Sequence, residues 1–225
     1  MEGANIYNPA KKSVVFVLAS SGILVGWSWL SSILVWGPVS ASIITYLLYA
    51  SYWLYVLIQK DALILRLLLI GTVAGILELA TDDYLVHGID SLVYPSKELM
   101  IWSSPAYMPL AWSNVILQLG FIGVLLTRKL HLILASIVLG IAGGMYIPLY
   151  EHLAKDAGWW WYHANTRMVF NAPLYVIICE ALISLALPAA VYYASRLTAN
   201  RSLIIGFLLG IWIYVSALIA FNLVH

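Results

Sequence analysis

The chain has 225 residues, 63% of them hydrophobic and 9% charged, with a formal net charge of +1. A composition this apolar excludes an ordinary soluble domain and makes lipid the main solvent. The near-zero charge and the lack of any basic run exclude a nucleic-acid footprint, and with Cys179 as the single cysteine there is no intrachain disulfide, CxxC pair or thiolate zinc site.

Lys11 and Lys12 precede the first apolar run. That run is longer than the roughly 7–15 residues of a signal h-region, so it reads as a retained anchor. Stretches of about 20 apolar residues bounded by charge, Pro or Gly predict seven transmembrane helices near 13–35, 38–58, 62–81, 104–127, 130–150, 168–195 and 202–223. The expected architecture is an all-α polytopic bundle, with 1–225 forming one transmembrane domain. Gly37-Pro38 divides the first two spans, because Pro fixes its own φ and disfavours helix at the residue before it.

Orientation follows from the connections. One side collects Lys11, Lys12, Lys60, Arg66, Arg128, Lys129, Arg196 and Arg201, the other only Lys97, Lys155 and Arg167. The positive-inside rule then puts the N-terminus in the cytoplasm, and a reporter fused after His225 is expected to read out on the non-cytoplasmic side. The membrane is expected to be a plasma or inner membrane, or an endomembrane in a eukaryote. Acids are biased the other way, with Glu2 and Asp61 cytoplasmic and Glu78, Asp82, Asp83, Asp90, Glu98, Glu151, Asp156 and Glu180 mid-membrane or outward. Acids contribute little to topology, so this bias needs another cause.

In the third span Gly71, Gly75, Glu78 and Asp82 share one stripe at i, i+4 and i+7 spacing. Small residues on it admit a close helix neighbour, so Glu78 and Asp82 are expected to face the bundle, about 6 Å apart along the axis. Two acids one turn apart repel, so one is expected to keep its proton and serve as a general acid. The plainer alternative is that Asp82 and Asp83 mark a solvated helix end. In the fourth span Tyr107, Ala111, Asn114 and Gln118 form a polar stripe, suited equally to interhelical hydrogen bonds and to substrate binding.

The fifth span carries Gly140, Gly143 and Gly144, then Pro148, Glu151 and His152 at its outer end; Glu151 shares the Gly140 and Gly144 stripe and is expected inward. Trp159-Trp160-Trp161-Tyr162 follows. It is either an interfacial aromatic belt or a lid whose ring faces stabilise a cation. Glu180 lies among apolar residues of the sixth span, where an acid is by default a functional candidate. Asn171, nine residues earlier on the same expected helix, should point away from it.

Gly75-Ile76-Leu77-Glu78-Leu79 closing a span, Pro105 through Met108-Pro109-Leu110-Ala111-Trp112 opening the next, and Gly158-Trp159-Trp160-Trp161-Tyr162 followed by Phe170-Asn171-Ala172-Pro173 together resemble the membrane-bound carotenoid biosynthesis proteins that hydrate polyene ends. The multi-span lycopene cyclases and integral membrane terpene cyclases are more distantly similar. The likeness covers roughly 71–182, with Glu151-His152 where those proteins have Asp-Pro, and Asn-Ala-Pro in place of Gly-Val-Pro. It implies an enzyme in which a carboxylic acid protonates an alkene of a long isoprenoid and the cation is captured by water or an internal double bond. Glu78 would be the acid and Asp82 its neighbour, with Glu180 or Glu151 the counter-charge or proton acceptor. Trp112 and Trp159 to Trp161 would line the substrate site with Tyr107, Asn114, Gln118 and Asn171. The expected partners are a lipophilic isoprenoid and membrane lipid, with no cofactor and no metal; the chain contains no GxxxxGK[ST] or GxGxxG motif. A proton-coupled carrier and a non-catalytic lipid-binding protein are the alternatives. A retinal opsin is disfavoured, since the last span has no lysine.

Overall fold

The structure, a computed structural model, describes residues 8–95, 98–164 and 166–225. Glu2 and Lys97, which enter the charge comparison above, lie outside them. The helices are α1 (Lys11–Leu34), α2 (Pro38–Gln59), α3 (Ala62–Asp83), α4 (Met108–Thr127), α5 (Leu132–Asp156), α6 (Leu174–Ser195) and α7 (Ser202–Val224). Among the described residues these seven are long and apolar enough to cross a membrane, so the protein is an integral, multi-pass helical bundle. Large apolar side chains such as Ile23, Trp29, Leu47, Leu57 and Leu208 stay exposed, as lipid-facing residues should.

Local chemistry sets the helix ends. Gly37 at φ 76 turns the chain so that Pro38 opens α2. Asp61 caps α3, accepting from the backbone N–H groups of Leu63 at 2.9 Å and Ile64 at 3.0 Å. A π-helical turn at Tyr84–Gly88 prolongs α3 beyond the expected 81. α5 runs through Pro148 to Asp156, past the expected end at 150; proline removes one N–H donor, and packing of the glycine-rich face against α6 carries the helix on. α4 begins at Met108, not 104.

The sixth span needs the largest correction. Residues 168–173 are not helical: β5 (Met168–Val169) and β6 (Ala172–Pro173) form a hairpin, and α6 starts at Leu174. Pro173 holds the residue before it out of the helical region. Asn171 therefore lies in the turn, and its expected position on the α6 surface does not apply.

α3 packs against α4 and α7, α6 packs against α5 and α7, and α1 and α2 flank this group. The two long connections fold over one end of the bundle, the end expected to be non-cytoplasmic. They are joined by β1 (Leu92–Val93), which pairs antiparallel with β4 (Trp161–Tyr162). A second hairpin, β2 (Met100–Ile101) with β3 (Ser104–Pro105), turns at Trp102 with φ 58. The Tyr175 hydroxyl meets Ser91 Oγ at 2.7 Å, and Trp159 Nε1 donates to Ser40 Oγ at 2.7 Å. The connections are thus a fitted cap over the bundle end.

Candidate active site

Beneath the cap lies a cavity of about 110 Å³ between α3, α4, α5, α6 and α7. Four carboxyl side chains line it: Glu78 and Asp82 from α3, Glu151 from α5 and Glu180 from α6. Glu78, Asp82 and Glu151 are 1%, 3% and 6% exposed. Glu78 interacts electrostatically with Asp82 and Glu180, Glu180 with Glu151, and Glu151 with Asp82, so the four form a closed ring. No Lys, Arg or His lies among the lining residues. Four full negative charges facing each other in a low-dielectric interior repel strongly, so the ring must hold protons.

The inward aim of the α3 acids follows from glycine. A methyl group built on Gly75 would fall on the Pro109 carbonyl oxygen, and one on Gly71 would sit 2.7 Å from the Ser113 carbonyl oxygen. Only bare backbone lets α4 come this close, and the approach leaves Glu78 and Asp82 covered. On α5, Gly140, Gly143 and Gly144 admit Leu185, Ser184 and Ala181 of α6 in the same way, and Glu151 is buried two turns later.

Hydrogen bonds separate the acids into two kinds. Asp82 Oδ2 accepts from the Tyr94 hydroxyl at 2.6 Å and the Ser104 hydroxyl at 2.7 Å. Glu151 Oε2 accepts from Trp160 Nε1 at 2.7 Å, and the Tyr162 phenol lies beside the same carboxyl. Burial first, then the neighbouring carboxyls, push the phenols of Tyr94 and Tyr162 well above the ordinary tyrosine value, so both stay O–H donors. Glu78 is different: its carboxyl lies beside Asp82 and the Trp112 indole, yet Oε2 is buried with no hydrogen-bond partner. Asp82 is committed as an acceptor, so the proton of this pair belongs on Glu78.

The remaining wall is aromatic and apolar: Trp112, Trp160, Tyr94, Tyr146, Tyr150, Tyr162 and Tyr175, with Leu119, Ile147, Val176 and Ile213. Of the expected site residues, Glu78, Asp82, Glu151, Glu180, Trp112 and Trp160 come together here. The other six do not line the cavity. Asn114 Nδ2 donates to the Thr45 carbonyl at 3.1 Å and Gln118 Nε2 to the Tyr52 hydroxyl at 2.9 Å, so both join α4 to α2. Tyr107 is buried away from the cavity, and Trp159 is anchored on Ser40. Trp161 is half-buried in β4. Asn171 accepts from Lys155 Nζ at 3.0 Å and pairs with His152 at 2.9 Å on the surface. Trp159 and Trp160 are 1% and 8% exposed, which rules out the interfacial belt for these two.

Asp83 faces outward, bonded to Ser103 and to His87 Nδ1 at 2.9 Å. Consecutive residues Asp82 and Asp83 thus hold consecutive residues Ser104 and Ser103, one pair inside the cap and one outside. Of the five lining tyrosines, Tyr162 closes the Trp159–Tyr162 segment expected as a belt or a lid; Tyr94, Tyr146, Tyr150 and Tyr175, and Cys179 beside Glu180, are not among the site residues expected from the sequence. Among the described residues, no group of three His, Cys, Asp or Glu side chains is placed to hold a metal ion.

A family model described as a domain of unknown function (DUF6989) matches residues 79–224, well over half of the chain. The match takes in Asp82, Glu151 and Glu180 and starts one residue after Glu78. No curated protein and no solved structure matches the chain.

Proposed function

We propose that this chain, which belongs to the DUF6989 family, is an intramembrane enzyme that protonates an alkene of a long isoprenoid and lets the resulting cation cyclise or take up water. The observation that carries this reading is the ring of four carboxyls around one buried, aromatic-walled cavity without a lining cation. A site of this kind has protons to give and nowhere to seat an anionic substrate.

Glu78 donates its proton to one alkene carbon, the π pair forms the new C–H bond, and positive charge appears on the other carbon. The faces of Trp112 and Trp160 and the ionised members of the ring stabilise that charge. Asp82, held by Tyr94 and Ser104, orients Glu78. Glu151, held by Trp160, and Glu180 are placed to accept the proton that leaves when the cation collapses. A carrier relaying protons between carboxyls would need acids continuing to the other end of the bundle. Among the described residues the only further acid there is Asp61, which is committed to capping α3.

The test is mass spectrometry of lipid extracts from cells expressing the protein with linear polyprenyl and carotenoid precursors, beside a Glu78→Gln control. A Glu78-dependent product of unchanged mass is expected for cyclisation, and one heavier by a water for hydration. Identical extracts from the two strains would count against the enzyme.

A further inference from the structure

The cavity wall contains three buried polar atoms without a hydrogen-bond partner: Glu78 Oε2, Thr81 Oγ1 and Ser184 Oγ. Hydroxyls within membrane helices usually satisfy themselves by bonding back to a carbonyl one turn earlier. This chain does so repeatedly: Ser21 bonds to Val17 at 2.8 Å, Ser28 to Leu24 at 2.9 Å and Thr72 to Leu68 at 2.7 Å. Thr81 and Ser184 make no such bond, although Thr81 is 3% and Ser184 0% exposed.

For Ser184 the reason is visible in the packing. Its Oγ occupies the place a Cβ on Gly143 would fill, so the missing side chain at 143 lets the hydroxyl stand against α5. Both residues line the cavity, one helical turn further from the cap than Glu180. A pure hydrocarbon would leave these hydroxyls buried and unpaired, which is unfavourable.

Building on the isoprenoid reading above, we infer that the ligand of this cavity is an oxygenated isoprenoid, carrying a hydroxyl or comparable oxygen function that pairs with the hydroxyl of Ser184 or, on the cap side of Glu78, with that of Thr81. The reacting end of the hydrocarbon lies against the aromatic wall and the oxygen gives the ligand its register, fixing which double bond is presented to Glu78. Ser31, Ser202 and Ser216 also lack partners but do not line the cavity, and they serve as controls.

The experiment is equilibrium binding to the purified full-length protein in lipid nanodiscs, comparing geranylgeraniol with the oxygen-free hydrocarbon of the same carbon skeleton. The alcohol is expected to bind about tenfold more tightly. That preference should disappear in a Ser184→Ala/Thr81→Val double variant and survive in Ser31→Ala, with hydrocarbon affinity unchanged throughout. Equal affinity of the two probes for the natural protein overturns the inference and assigns the hydroxyls to water. So does a preference that the double variant retains. Because binding needs no turnover, a protein that prefers the alcohol but forms no product keeps this inference and loses the enzymatic one; a protein that converts hydrocarbons without preference does the reverse.

Discussion

Glu78→Gln is expected to lower product formation by about 10²–10⁴-fold, the usual contribution of a positioned general acid, while the purified protein keeps its melting temperature. The two results belong together. Gln has the same shape and can still bond to Asp82, so the α3–α4 seam is undisturbed, but its amide has no acidic proton to give. Asp82→Asn should cost less, roughly tenfold, because Asp82 orients the acid and does not supply the proton. Glu180→Gln tests the other side of the ring. If Glu78→Gln and Glu180→Gln both leave product formation in membranes unchanged, acid catalysis by this cavity is wrong.

What could be read from the sequence depended on whether a side chain's surroundings are set by its own helix. Glu78 and Asp82 share a stripe with Gly71 and Gly75, and acids together with glycines on one stripe of an apolar span mark a covered face, whereas glycines alone do not: Gly22 and Gly26 have the same spacing on α1 and face open space. Their inward aim was therefore legible, as was that of Glu151 above Gly140 and Gly144. Glu180 stood out because an acid inside an apolar span needs a special environment. Asn114 and Gln118 were equally visible as polar residues in lipid, but polarity shows that a partner is needed and not on which side it lies. Both turn toward α2, to Thr45 and Tyr52.

The tyrosines were illegible for another reason. Tyrosine is common at membrane interfaces, so nothing in the sequence separates Tyr94 from an anchoring residue, and Tyr162 stands out only as the end of the Trp run. They reach Asp82 and Glu151 only because β1 and β4 pair across two connections that lie far apart in the chain. The Trp run was legible as unusual, yet its three rings have three fates, because successive residues of an extended segment point different ways. Trp159 is pinned to Ser40, Trp160 faces Glu151, and Trp161 is half-buried in β4. Asn171 was misplaced because a span drawn by hydropathy ran through Pro173, which local backbone chemistry would have stopped.

Gly75→Ala is expected to damage both stability and activity, and the pairing of the two effects distinguishes it from Glu78→Gln. The added methyl group would fall on the Pro109 carbonyl and within 3.2 Å of the Trp112 Cβ. Backbone cannot rotate out of the way, so α4 must move off α3. Overpacking of this kind costs about 1–3 kcal/mol, which in a chain of this size lowers the melting temperature by roughly 2–12 °C. The displaced segment is the first turn of α4, which brings Met108, Ala111 and Trp112 to the cavity, so a shift there also changes how Trp112 faces Glu78. Gly22→Ala is the matched control, because nothing lies within 4 Å of a methyl group built there. If both variants melt alike and form product alike, the close approach of α3 and α4 does not set the site, and the aim of Glu78 into the cavity has to come from elsewhere. If Gly75→Ala alone loses both, the glycine stripe and the acid above it act as one device: the seam brings α4 in, and α4 supplies the ring against which the acid works.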